Sequence, residues 1–382
     1  MSTKSLIFGD KVLLVIVLLL SLFSFFPVFS SSSYLSYVID GSSPIYYLVK
    51  HLIVILFGFI LMLSIKLVPF KFFRGMSIIL LPIGIGLLVY TLSQGTIIGG
   101  SVASRWIDIP FVGISFQTSA LAAIIIITYT ARYLSKVELS KTKFSETLIP
   151  LWLPIFTYIF LIFPANFSSA FLIFTALVIT LFISGFPLRH LFKVFLILSF
   201  LLITFFFTAK TFPDKFPNRI DTWLSRIENF GSNKNLDASY QIERAKMAIN
   251  NGGLIGVGAG KSIMKNHLPQ SNSDFIFAII VEEWGSIGGA FIICLYILMF
   301  FRFLSITHRI DDRFGKILVS GLGVFIIIQA FTNISVATQI IPVTGQNLPL
   351  ISSGGSSAWM TCISLGMILS VSSSIKNKNG KQ

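Results

Sequence analysis

Apolar runs of about 18 or more residues recur from one end of this chain to the other, and that recurrence decides what it can fold into. A backbone N–H or C=O in hydrocarbon has no water to bond, so each run must become a helix that satisfies its own polar groups. With 54% hydrophobic and 12% charged residues, 382 residues cannot dress a water-soluble globule. The reading is an all-α polytopic integral membrane protein, a single membrane domain over 1–382. Its ten transmembrane helices fall near 12–29, 45–63, 76–93, 116–134, 148–164, 167–185, 190–208, 274–301, 316–340 and 356–374. One long loop, 209–273, separates helices seven and eight.

The net charge of +14 would suit a nucleic-acid partner, but its distribution argues against one. The basic residues cluster in short gaps on one side: Lys66, Lys71 and Arg74; Arg132, Lys136, Lys141 and Lys143; Arg302, Arg309, Arg313 and Lys316. With Lys4 and Lys11 at one terminus and Lys376, Lys378 and Lys381 at the other, the positive-inside rule puts both termini in the cytoplasm. The long loop is then extracytoplasmic, and Arg105 is the lone basic residue of a short outer loop. Cys294 and Cys362 lie inside apolar runs and read as small hydrophobes. Four scattered His residues make a His-based metal site a poor prospect, and there is no P-loop, dinucleotide fingerprint or HExxH pair.

Within the long loop, Ala238–Asn251 has helical periodicity, with Ala238, Ile242, Ala245 and Ile249 on one face. It suits either a helix lying on the bilayer or a lid over a lipid substrate. Three other stretches can carry chemistry. The first is LPQSNSDFIFAIIVEEWGSIGG, Leu268–Gly289. It places Asp274 at a loop–helix junction, where a carboxylate either caps the helix or serves as a general base. Glu282 and Glu283 follow two turns deeper, point about 100° apart, and call for partners. Gly285 and Gly289 have the GxxxG spacing of close helix packing. The second is Ile340–Trp359, an irregular polar segment. Gln346, Ser352, Ser353 and Ser356 there are candidates for holding an anion such as a diphosphate. The third is Gly99–Gln117, where Arg105 and Trp106 form either a snorkelling anchor or a phosphate grip, and Gln117 opens the fourth helix.

Together, SRWIDIPFVGISFQ at 104–117, LPQSNSDFIFAIIVEEWGSIGG at 268–289 and NISVATQIIPVTGQNLPLISSGGSS at 333–357 resemble the SEDS family, the FtsW/RodA/SpoVE proteins. The run GVGAGKSIMKNHLPQ, 256–270, is similar to the division branch more than to the elongation branch. The resemblance implies a peptidoglycan glycosyltransferase of the bacterial cytoplasmic membrane. It would polymerise lipid II into glycan strands at the septum beside a class B penicillin-binding transpeptidase and other divisome membrane proteins. Asp274 matches the family's catalytic Asp and would act as general base in an inverting transfer, with undecaprenyl diphosphate leaving. Arg105, Lys261, Lys265 or a divalent cation (Mg or Mn) are candidates for neutralising that diphosphate. Glu282, Glu283 and Gln117 would belong to a structural network.

The chain also departs from the family pattern. Ala120 and Ala123 stand where many members have Glu and Lys, and Asn166 where members have Asp. Losing both signs together leaves no unpaired ion in the membrane interior. A lipid II flippase, an elongation-type polymerase and a non-catalytic scaffold are the rival readings. No inverted repeat in the hydropathy supports the flippase.

Overall fold

The computed structural model describes residues 9–35, 43–93, 97–98, 101–102, 106–109, 114–138, 142–211, 236–268 and 271–379. Every expected span has a helix in its place. These are α1 (Lys11–Leu35), α2 (Pro44–Leu67), α3 (Lys71–Ser93), α4 (Thr118–Lys136), α5 (Phe144–Ile162), α6 (Phe167–Ile183) and α7 (Leu188–Thr211). After α8 (Leu236–Gly252) in the long loop come α9 (Ile276–Arg309), α10 (Arg313–Ala337) and α11 (Gly355–Asn379). Among the described residues, eight of these helices are long and apolar enough to cross a membrane, and α6, apolar but only 17 residues long, is shorter. The chain is a helical multi-pass membrane protein. One departure from an all-helical reading lies between α3 and α4, where two antiparallel ribbons form. They are Ile97–Ile98 with Ser101–Val102, and Trp106–Ile109 with Ile114–Gln117, the latter setting Trp106 opposite Gln117. Arg105 lies outside the described residues.

Burial sorts the helices. In α4, α10 and α11, 67% of the best apolar window is buried, against 22% in α2 and α3. The first three are the centre of the bundle, and α2 and α3 present most of their surface outward. α2 lies along α11, α3 along α4, and α10 against both α4 and α6. Local chemistry sets several ends. Asp312 caps α10 by accepting from Gly315 N at 2.9 Å, and Asn166 caps α6 by accepting from Ser169 N at 3.2 Å. Within α5 the backbone widens to a π turn at Leu148–Trp152. Pro154 has no N–H for the carbonyl of Pro150, and the Tyr129 hydroxyl donates to that oxygen instead at 2.7 Å.

Antiparallel α1 and α9 are tied at both ends. Near one end Asp10 accepts from Leu13 N at 2.9 Å and forms an ion pair with Arg302. Near the other, the Ser30 hydroxyl donates to Glu283, and Trp284 packs between Phe23 and Phe26 with ring centroids 5.6 Å from each. Ser24 pairs with His51 Nε2 at 2.8 Å, joining α1 to α2.

α9 is not continuous. Gly285 adopts φ 70°, ψ −175°, which breaks the helix and leaves carbonyls and N–H groups on both sides without helical partners. The long loop supplies them. Val257 N donates to Glu282 O and Gly258 N to Glu283 O, both at 3.0 Å. Past the break, Ser286 N donates to Gly253 O at 2.9 Å and Ile287 N to Leu254 O at 3.3 Å. This corrects the GxxxG expectation: Gly285 is the point of entry of a loop, and Gly289 lies against Phe277 and Val281 of its own chain segment. The 24 residues Ser286–Arg309 measure about 36 Å at 1.5 Å per residue, enough to cross the hydrocarbon unaided. Glu282 and Glu283 therefore belong to a short helical piece wrapped by the loop, not to a deep stretch of a spanning rod.

A Cβ at Gly285 would collide with the Leu254 carbonyl in a backbone conformation that L residues avoid. Gly285→Ala should lower stability by about 1–3 kcal/mol. Gly75→Ala, in helical α3 with nothing within 4 Å of the added carbon, should be neutral or stabilising. Thermal melting of the two purified variants against the parent checks the contrast.

Candidate functional site: the clamped turn carrying Asp274

Residues 271–275 make the turn that leads into α9, and Asp274 sits in it, half-buried. The N-cap position falls one residue later, on Phe275, whose side chain makes no cap hydrogen bond. What shapes the turn is a set of side chains from elsewhere in the chain. Three consecutive carbonyls are each held. Ser353 donates to Asn272 O through both its N–H and its hydroxyl, each at 3.0 Å. The Ser352 hydroxyl donates to Ser273 O at 2.7 Å while accepting from Leu348 N at 2.8 Å. Asn333 Nδ2 donates to Asp274 O at 2.9 Å and to Gln346 O at 2.7 Å. Buried polar groups held this way are costly to disturb, so the turn's conformation is overdetermined.

The clamp is itself braced. Gln346 Nε2 donates to the Ser169 hydroxyl of α6 at 2.9 Å, and the fully buried Ser356 accepts from Gln117 N at 3.1 Å. Tyr296 Oη of α9 donates to Pro349 O at 2.5 Å. Gln346, Ser352, Ser353 and Ser356 thus bond protein groups: Ser352 and Ser353 hold the Asp274 turn, while Gln346 and Ser356 tie the connecting segment to Ser169 and Gln117. Asn333 was not singled out from the sequence. Its signal there is an amide, one turn after Gln329, in the apolar run of α10; it is 1% exposed.

Glu282 and Glu283 are also held by neighbours, though Glu283 Oε2 is buried without a hydrogen-bond partner. Glu282 accepts from the Ser262 hydroxyl, from Ile263 N and Met264 N at 3.3 Å, and from Asn251 Nδ2 at 3.5 Å. Glu283 takes the Ser30 hydroxyl of α1, and Lys265 Nζ donates to that same serine oxygen at 3.2 Å and to Gly260 O at 2.7 Å. Together they pin the segment 251–265 to α9 and α1. Lys261 is exposed and Lys265 half-buried. α8 packs against α9 through Ala245 and Ala248, so its apolar face is used within the protein. Trp106 is placed only by its backbone, opposite Gln117.

Between α4, α6, α10 and α11 lies a cavity of about 30 Å³, room for one or two waters. Amides and hydroxyls supply its polar lining: Gln117, Gln329, Gln346, Ser169, Thr361 and Ser364. Ala120 lines it too, Ala123 is fully buried, and Asn166 does the work of a helix cap. None of the cavity's lining residues is ionisable. Among the described residues no three His, Cys, Asp or Glu side chains converge.

A broken helix, a loop threaded into the break and an acidic turn clamped from two other segments define a polytopic membrane protein with its site at one end of the bundle. The chain belongs to the cell cycle protein family of FtsW, RodA and SpoVE, whose model matches residues 10–377. It is 31% identical over 333 residues to a probable peptidoglycan glycosyltransferase FtsW of Hydrogenovibrio crunogenus, covering 86% of this chain and 82% of that one. It is 29% identical over 366 residues to the stage V sporulation protein E of Bacillus subtilis, covering 95% and 96%. Among solved structures, its fold matches a chain of a peptidoglycan synthase complex with TM-score 0.74 at 21% identity, covering 96% and 98%. The rod shape determining protein RodA of Thermus thermophilus matches with TM-score 0.67 at 21% identity, covering 95% and 96%.

Asn333→Ala removes one donor from two carbonyls and should cost about 1–3 kcal/mol for each group left unpaired. Hydrogen exchange should rise selectively in 271–276, and unchanged exchange there would show that the clamp does not depend on this amide.

Proposed function

We propose that the chain is a peptidoglycan glycosyltransferase that polymerises lipid II into glycan strands during septal wall synthesis. It would lie in the cytoplasmic membrane with both termini inside and the end carrying α8 outside. What carries this reading is the clamp on the 272–274 carbonyls: three side chains hold the turn of one acidic residue, in a chain whose relatives bear the name of that activity. A general base must be held in place more than it must be strong.

In this mechanism Asp274 accepts the proton of the 4-hydroxyl on the acceptor's N-acetylglucosamine. The oxygen attacks the anomeric carbon of N-acetylmuramic acid on the donor. The bond to the diphosphate breaks, configuration inverts, and undecaprenyl diphosphate leaves with the electron pair. Lys261 and Lys265, at the end of the segment pinned by Glu282 and Glu283, and Arg105 are the cations offered to that leaving group. Asn333, Ser352 and Ser353 act as positioning residues. A class B penicillin-binding transpeptidase is the partner that would cross-link the product; the matching chain of a peptidoglycan synthase complex supports such an assembly.

The test is labelled lipid II given to the reconstituted chain with its transpeptidase. Asp274→Asn keeps size and should cut polymer formation by roughly 10²–10⁴-fold. Lipid crossing the bilayer without polymer would make the chain a flippase, and neither event would leave a scaffold. Polymer formed at the parental rate by the Asn variant would remove Asp274 from the mechanism.

A further inference from the structure

The segment threaded into α9 has its backbone and its side chains turned to opposite uses. Much of its backbone is bonded: Gly256 N donates to Gly252 O at 2.7 Å, Val257 N and Gly258 N donate to α9, and the carbonyls of Gly253 and Leu254 accept from it. Lys261 N takes the carbonyl of Gly258, and Lys265 Nζ that of Gly260. Its apolar side chains meanwhile point away from the protein, with Leu254 73% and Ile255 81% exposed. Between Gly252 and Gly260 there is no charged residue, and Lys261 follows at once, exposed.

What lies next to this patch says what covers it. The Leu254 carbonyl bonds Ile287 N, and Ile287 is itself 65% exposed. From there an outward stripe runs down α9 through Phe291, Cys294, Leu298 and Phe301, at helical spacings of three and four. That stripe belongs to a spanning helix and faces lipid tails. The loop prolongs it, with Ser286, whose hydroxyl donates to Gly253 O at 2.8 Å, at the junction.

The geometry points to Gly252–Gly260 as a membrane-inserted loop, with Leu254 and Ile255 seated in the acyl chains and Lys261 at the headgroup phosphates. Irregular backbone is tolerated at that depth where protein takes up its polar groups, and the break in α9 takes up the Gly253 and Leu254 carbonyls and the Val257 and Gly258 N–H groups. Burying two large aliphatic side chains favours insertion, and a lysine at the boundary snorkels toward phosphate. The loop would act as a float: it fixes the height of the 262–268 connection, and with it the Asp274 turn, relative to the leaflet.

The inference is tested on the full chain in phosphatidylcholine–phosphatidylglycerol vesicles, with Cys294→Ala and Cys362→Ala removing native thiols. Ile255→Cys carries an environment-sensitive fluorophore, and Glu243→Cys, exposed on α8, is the aqueous control. The probe at 255 should emit to the blue of the control, be quenched by lipids brominated on their acyl chains, and lose its quenching by aqueous iodide. Quenching by iodide at 255 as strong as at 243 would place the loop in water and overturn the inference. A probe at 255 reached by neither quencher would mean that protein covers the patch, which also overturns it.

Discussion

The rest of the structure depends on where polar backbone finds partners once a helix in a membrane is interrupted. At Gly285 the ladder of α9 stops, and four main-chain bonds from the long loop close the gap. An open break in hydrocarbon would cost several kcal/mol for each orphaned group. The loop cannot leave without exposing them, so α8, the loop and α9 behave as one unit. Glu282 reinforces the same joint by collecting N–H and hydroxyl donors from 251–264. A buried carboxylate with four donors stabilises the fold only while all of them stay in place.

That joint delivers the acidic turn to the ends of α10 and α11. Residues 272–274 meet Asn333 from one helix and Ser352 and Ser353 from the connection to the next. The three stretches that carry the family resemblance are therefore one piece of architecture, with Gln117 joined through Ser356. The interior cavity has a polar lining of amides and hydroxyls, and Ala120 stands among them. Around this cavity the bundle is held by neutral hydrogen bonds, which avoid the desolvation that paired ions would demand.

Much of this was legible before any coordinates. Hydropathy placed a helix within a few residues of every expected span, because apolar length is the one signal a membrane enforces directly. Asp274 stood out as a carboxylate beside an apolar run, and the prediction that Glu282 and Glu283 have partners follows from the cost of burying charge. The break was not legible: glycines spaced as in GSIGG serve close helix contact and positive φ equally well, and only the loop's arrival tells them apart. The ribbons of two and four residues are too short to show a period. Asn333, and the part Ser352 and Ser353 play as donors to the turn, escaped for a further reason. Their partners are main-chain carbonyls 59 to 81 residues away, and no local pattern records such a pairing.

The two ties between α1 and α9 bear on how the chain is assembled. Asp10 and Ser30 enter the membrane with the first helix, while Arg302 and Glu283 are made only after most of the polypeptide has been threaded. Until then α1 carries an acid without its cation, and the Ser24–His51 bond to α2 is its early hold. A ribosome stalled before the last third would leave the opening helix half-latched, a natural mark by which quality control could recognise an unfinished copy.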